Sequence, residues 1–166
     1  MKHINNATTR SSLTGVNLEK DVQSNAVDLR LDKVFVIYNN DFILTDDSKT
    51  HRGSYELVPD ASGFFNLYVG NSYEIVFENE ITVGDGECGW VIPRSTLVRN
   101  GLSITTGLYD SGYKGKMVAC LHVNGGNASI KKGCRIAQYL CFDAEMIHRY
   151  DGDYGIDKAH DQKYNK

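Results

Sequence analysis

Apolar and polar residues in this chain alternate in short runs instead of recurring every three or four positions. The stretches "AVDLRL", "KVFVIY", "FILT", "FFNLYV", "YEIVFE", "GWVI", "MVACLHV" and "CRIAQYLCF" read as strands. They are rich in Val, Ile, Tyr and Phe, and Gly, Asn, Asp and Ser punctuate the gaps between them. "VDLRL" and "YEIVFE" alternate with period two, as a strand buried on one face does. "RSTLVRNGL" breaks the pattern and predicts one short helix, starting near Ser95 and stopping at Asn100–Gly101. Many short strands, frequent turn residues and almost no helix predict an all-β sandwich or barrel.

The chain shows no internal repeat and no low-complexity segment. Residues 1–24 are polar and expected to be irregular, and residues 25–149 carry the strands. Residues 150–166, "YDGDYGIDKAHDQKYNK", mix four aspartates with three lysines and hold almost no apolar side chain. Such a segment cannot pack a core by itself. It is expected to be a flexible tail that is disordered, draped on a neighbour, or ordered by ligand.

At 166 residues the chain fits one domain with a substantial core, and its formal net charge of −3 does not suit a protein that coats nucleic acid. No apolar run approaches the ~18 residues a membrane-spanning helix needs. The opening "MKHINNATTRSSLTG" lacks the apolar segment of a secretory signal, so cytoplasmic residence is the expectation. Cys88, Cys120, Cys134 and Cys141 form no C-x-x-C pair. Cys120 and Cys141 lie inside apolar runs, which favours buried reduced thiols over structural zinc or disulfides.

Candidate chemistry concentrates between residues 93 and 116, where glycines, tyrosines and basic side chains surround a single carboxylate, Asp110. "TTGLYDSGYKG" reads as a β-hairpin in which Gly107 permits close backbone approach. Free main-chain N–H and C=O groups there can read a base edge. Uracil presents acceptor, donor, acceptor; cytosine replaces one acceptor with an amine, and a buried mismatch costs ~1–3 kcal/mol. An ordinary glycine turn is the alternative. In "IPRSTLVR", Arg94 and Ser95 stand where a helix begins, a place that suits phosphate through free N–H groups and a guanidinium fork. Equally, Ser95 can be a plain N-cap and Arg94 a solvated charge. In "KKGCRIAQYL", the Gln138 amide can donate to phosphate and Arg135 can pair with a carboxylate of a neighbouring segment or chain, or both can be ordinary edge-strand polar residues.

In sequence order, "NAVDLRL" (25–31), "PRSTLVRNGL" (93–102), "TTGLYDSGYKG" (105–115) and "GCRIAQ" (133–138) resemble the first four motifs of the trimeric dUTPase and dCTP deaminase superfamily. "YDGDYG" is similar to the Y-x-G-x-Y ending of the deaminase-like, archaeal-type dUTPases, so the likeness spans roughly residues 25–155. The resemblance implies a distorted β-barrel of the β-clip type that assembles as a homotrimer, with active sites at subunit interfaces. It implies hydrolysis of dUTP to dUMP and pyrophosphate with Mg2+ carried on the substrate phosphates and water, not on dedicated protein ligands. Asp110 then stands where the family's catalytic aspartate aims a water at the α-phosphorus. Tyr113 matches the tyrosine that packs on the deoxyribose and excludes a 2′-hydroxyl. Arg94, Ser95 and Gln138 match phosphate contacts, while Thr96, Gly107, Tyr150 and Tyr154 match other substrate-binding positions. Asp28 matches a supporting aspartate.

Two features bear on which reaction the resemblance implies. Arg99 matches an arginine that assists catalysis in dCTP deaminases, and the tail follows the deaminase-like ending. Deaminases, however, carry a glutamate ten residues after the catalytic aspartate, where this chain has Cys120. A thiol in an apolar strand does not replace that acid. Nearby His122 lies on the same strand face. The expectation is a dUTP diphosphatase. The alternatives are a dCTP deaminase or bifunctional enzyme, and a non-catalytic nucleotide-sensing or partner-binding protein. The glycine- and phenylalanine-rich closing motif of ordinary dUTPases is absent, and Lys158 and Lys163 can either reach phosphates or remain solvated.

Overall fold

The computed structural model describes residues 2–4 and 6–166; Met1 and Asn5, part of the expected N-terminal segment, lie outside them. In chain order the strands are β1 (Ser12–Leu13), β2 (Val27–Ile37), β3 (Ile43–Leu44), β4 (Lys49–Thr50), β5 (Ser54–Glu56), β6 (Phe64–Leu67), β7 (Ser72–Thr82) and β8 (Glu87–Pro93). Helix α1 (Ser95–Arg99) follows, then β9 (Leu102–Thr105), β10 (Lys114–Val123), β11 (Ala128–Lys131) and β12 (Arg135–Asp143). A 3-10 helix over Ala159–Asn165 comes last.

The main sheet runs β8-β12-β2-β7-β10-β9, with β1 added on β7 and β5 on β2. It curls until its ends meet. Gly89 of β8 and Tyr109, in the loop after β9, exchange both backbone bonds (Gly89 N to Tyr109 O, 2.9 Å; Tyr109 N to Gly89 O, 2.8 Å). This near-closure covers the strand edges that an open sheet would expose. It also requires glycine at 89, because a Cβ there would lie 1.8 Å from the Tyr139 hydroxyl.

"AVDLRL" and "KVFVIY" form one strand, β2, with a register shift against β7 between Leu31 and Lys33. The extra residue changes which face alternate positions occupy, so Leu31 and Val34 both reach the interior although three positions apart. There they join Leu29, Ile75, Phe77, Met117, Leu121 and Tyr139 in the main core. "FILT" contributes no core strand; only Ile43–Leu44 pairs, with β4, in an exposed hairpin beside the sheet. The short strands β9 and β11, too brief for their alternation to register, are ones the sequence pattern leaves out. Helix α1 falls where expected, but its N-cap is Arg94 without a side-chain cap bond, and Ser95 is the first helical residue.

The N-terminal segment is tied down by Glu87, whose side chain is buried. Its carboxylate accepts bonds from the Ser11 hydroxyl (2.6 Å), the Ser11 amide (2.8 Å) and the Arg10 amide (3.1 Å), with Lys2 at 3.3 Å. Burial alone would raise its pKa; these donors more than offset burial and hold it at about 2.

The tail is ordered against its own chain. Tyr164 is buried on the outer sheet face with Phe35 and Val76, and its ring stands edge-on to Phe35 at 5.8 Å. Buried Asp161 accepts the Gly155 amide at 2.7 Å. Composition predicted no core of its own for this segment. What orders it is the pair of apolar outward positions on β2 and β7.

Candidate active site

After Thr105 pairs with Cys120, the β9–β10 ladder stops. Across the gap, the Tyr109 hydroxyl donates to Val118 O (3.0 Å) and receives the Val118 amide (3.2 Å). The backbone of Thr106, Gly107 and Leu108 is left outside the hydrogen-bonded ladder. Nothing lies within 4 Å of where a Gly107 Cβ would project. The hairpin is therefore splayed, with main-chain groups available beside a cavity.

That cavity holds ≈ 580 Å³ and is lined by Gly107, Tyr113, Tyr150, Tyr154, His51 and Glu74 among others. Tyr113 stands edge-on between Tyr109 and Tyr150, each 5.4 Å away by ring centroid, and donates its hydroxyl to Lys116 O at 2.9 Å. Burial raises the Tyr113 pKa, so the phenol stays protonated. An adjoining cavity of ≈ 500 Å³ shares Leu108 and Tyr150 with the first and contains Asp110, Cys88, Glu145 and Asp151. Asp110 is exposed, and its carboxylate makes no hydrogen bond or ion pair among the described residues. Gly112, at φ 88°, closes the turn directly after it, a backbone state that disfavours other residues. Burial, and then the nearby Asp110 charge, raises the pKa of the Cys88 thiol.

The remaining predicted residues form a second group. Buried Asp28 accepts Gln138 Nε2 at 3.0 Å and Gln23 Nε2 at 3.2 Å, with Arg135 Nη1 at 3.3 Å and Arg94 Nε at 3.4 Å. Asp28 thus holds in place the very side chains expected to meet phosphate. Arg135 finds its carboxylate within its own chain. One Gln138 N–H is committed to Asp28. Ser95, Thr96 and Arg99 are exposed on α1.

Asp110 and Arg94 lie at opposite ends of β8 within one chain. Asp110 lies beside Cys88 at the start of β8, and Arg94 follows its last residue, Pro93. About six residues of extended strand separate them, roughly 20 Å at ~3.3 Å per residue. Gly107, Asp110, Tyr113, Tyr150 and Tyr154 make one half; Asp28, Arg94, Ser95, Thr96, Arg99 and Gln138 make the other.

Sequence reasoning missed Glu74, His51, Arg52 and His160 in the main cavity. Glu74 is simply a polar position of an alternating strand, and the other three occupy segments without any motif. Cys120 is half-buried on the outer face, not fully enclosed, and lines a third groove of ≈ 330 Å³. Burial raises its pKa. Its sulfur is 4.0 Å from His122 Nδ1, while His122 bonds Ser72 Oγ (2.8 Å) and Thr105 Oγ1 (3.0 Å).

A curled sheet with a splayed hairpin and a ring-lined cavity beside an uncommitted acid has the concave form of a small-molecule site. The model of the dCTP deaminase-like family matches residues 3–144, and the chain belongs to that family. It is 33% identical over 138 residues to a probable deoxyuridine 5′-triphosphate nucleotidohydrolase of Methanopyrus kandleri, covering 82% of this chain and 89% of the relative. A protein of the same description from Methanothermobacter thermautotrophicus is 31% identical over 139 residues, covering 83% and 90%. Among solved structures, the dCTP deaminase of Agrobacterium tumefaciens superposes with a TM-score of 0.61 at 14% identity, over 79% of this chain and 42% of that one. A mutant dUTPase of Staphylococcus bacteriophage 80alpha gives 0.51 at 13% identity, over 88% and 98%. At these identities the structural likeness speaks for the fold.

Proposed function

We propose that this protein is a dUTP diphosphatase that hydrolyses dUTP to dUMP and pyrophosphate. The observation that carries the reading is Asp110, an unpaired, solvent-facing carboxylate in the cavity that adjoins, through Leu108 and Tyr150, the larger one lined by Tyr113. The free main chain at Thr106–Leu108 takes the base edge, and the Tyr113 ring takes the sugar. Asp110 orients a water toward the α-phosphorus and accepts its proton, a role worth ~10²–10⁴-fold in rate. Phosphoryl transfer otherwise asks for positioning and charge neutralisation, which Arg94, Ser95, Thr96 and the remaining Gln138 N–H supply.

Because those groups sit roughly 20 Å from Asp110 in one chain, the complete site takes its hairpin from one subunit and its phosphate contacts from the next. A homotrimer supplies this arrangement three times. Tyr150 and Tyr154 close the nucleoside side from the tail. No group of three or more His, Cys, Asp or Glu converges as a metal site among the described residues. Asp110, Glu145 and Asp151 instead line one cavity. That donor set fits a hydrated Mg2+ brought in on the triphosphate and touched by protein carboxylates through water. When bound, Mg2+ draws charge from the phosphate oxygens. Among the described residues no helix is long and apolar enough to cross a membrane, and the reading places the enzyme in the cytoplasm.

Incubation with dUTP and Mg2+ should release pyrophosphate. Asp110→Asn should lower turnover by ~10²–10⁴-fold while keeping dUTP binding and the circular dichroism spectrum; a fully active variant would overturn the assignment. Scoring ammonia from dCTP in parallel addresses deamination, for which Cys120 offers a thiol where an acid is needed.

A further inference from the structure

Four residues form a row across the outer sheet face. Phe35 pairs with Glu74, Glu74 with Cys120, and Cys120 with Thr105, so these side chains project together. Phe35 is covered by the tail, and Glu74 is covered by it in part. Its side chain lines both the main cavity and the side groove that holds Thr105, Thr106, Gly107 and Cys120. Its Oε1 is out of solvent and lies 2.8 Å from Lys163 Nζ of the tail. The tail's Tyr164 phenol also neighbours this carboxylate, and the side chain still lines both the cavity and the groove. A carboxylate facing the splayed hairpin has no part in the hydrolysis described above.

We propose that Glu74 is a specificity-determining residue that reads the substituent at position 4 of the pyrimidine. The inference rests on the nucleotide seating proposed above. With the sugar over Tyr113 in the main cavity, the base extends past Gly107 into the side groove. Position 4 lies across the ring from the glycosidic nitrogen, so its exocyclic group reaches deepest, to the row containing Glu74. An ionised carboxylate is an acceptor only. The amine of cytosine donates to it directly. The O4 of uracil is an acceptor too, and is accommodated through a water that donates to both oxygens. Glu74 therefore narrows the preference for uracil that the hairpin backbone sets.

The test measures dissociation constants for the non-hydrolysable α,β-imido analogues of dUTP and dCTP, and kcat/KM for both triphosphates. Three proteins are compared: wild type, Glu74→Gln and Lys163→Met. The wild type should bind the two analogues within about tenfold of each other. Glu74→Gln should shift the ratio toward uracil by roughly 10- to 100-fold, the size of one lost charge-assisted bond. Lys163→Met, which breaks the same ion pair but keeps the carboxylate, should shift it less than threefold. A wild-type preference for uracil above about a thousandfold overturns the inference, as does an unchanged ratio in Glu74→Gln. An equal shift in Lys163→Met also overturns it, because the effect would then belong to tail placement. If neither analogue binds the wild type, the nucleotide reading itself fails, a result distinct from all of these.

Discussion

Mixed oligomers offer the sharpest test of a site divided between chains. Asp110→Asn removes the acid from one half-site, with an expected loss of ~10²–10⁴-fold. Arg94→Ala removes a charge-assisted phosphate contact from the other, costing about 10- to 100-fold. The span between these residues, about six residues along β8 or roughly 20 Å, is far beyond hydrogen-bond reach. Under the proposed cyclic trimer, each site would draw its hairpin from one subunit and its Arg94 from the adjacent one. When the two variants are mixed equally and assemble at random, a site works if an Arg94→Ala chain supplies the hairpin and an Asp110→Asn chain supplies the arginine. That combination arises in about one site in four, so the mixture should recover ~25% of wild-type turnover. The variants would be co-refolded and assayed for pyrophosphate release from saturating dUTP and Mg2+, with unexchanged mixtures as control. Activity equal to the average of the two parents would refute the divided site, because it would mean that each chain works alone.

Three stability predictions follow from other contacts. Glu87 has a folded pKa of about 2, below its unfolded value near 4.5, so its contribution is complete above pH ~4.5 and is lost as pH falls toward 2. At full strength that shift is worth ~3 kcal/mol, and screening around the partly exposed Lys2 reduces it to ~2 kcal/mol. Urea titrations from pH 6 to 2 should show this decline, and Glu87→Gln should flatten it; an equally steep acid arm in the variant would remove Glu87 as its source. Gly89→Ala forces a Cβ into the space of the Tyr139 hydroxyl, 1.8 Å away, and should cost ~3 kcal/mol or more in a denaturation experiment. Tyr164→Ala should cost ~2–3 kcal/mol and make the tail protease-sensitive, with limited proteolysis as the readout; an unchanged digestion pattern would mean that Phe35 and Val76 do not hold the tail.

Much of the fold was legible in the chain because alternation is a local property. "YEIVFE" and "MVACLHV" announce β7 and β10, and Asn100–Gly101 marks the end of α1 where it falls. What escaped depends on partners distant in sequence. The single register of β2 hides in two runs because the bulge after Leu31 interrupts the alternation. Tyr164 reads as one aromatic in a polar tail until Phe35 and Val76 are brought beneath it. The site divides in the same way. Asp110, Gly107 and Tyr113 are close in the chain and visible as a hairpin. The role of Asp28 becomes physical only when β2 and β12 lie side by side, and Glu74 carries no local mark at all.

The cluster of Phe35, Val76 and Tyr164 also dictates an order of events during biosynthesis. The outer wall of β2 and β7 can fold only half-covered, because its apolar cap is encoded near the opposite end of the chain. Until residues 159–165 have emerged from the ribosome, that wall presents bare aromatic and aliphatic groups to other nascent chains. Contacts of such long sequence separation close late and leave apolar surface uncovered until the tail docks.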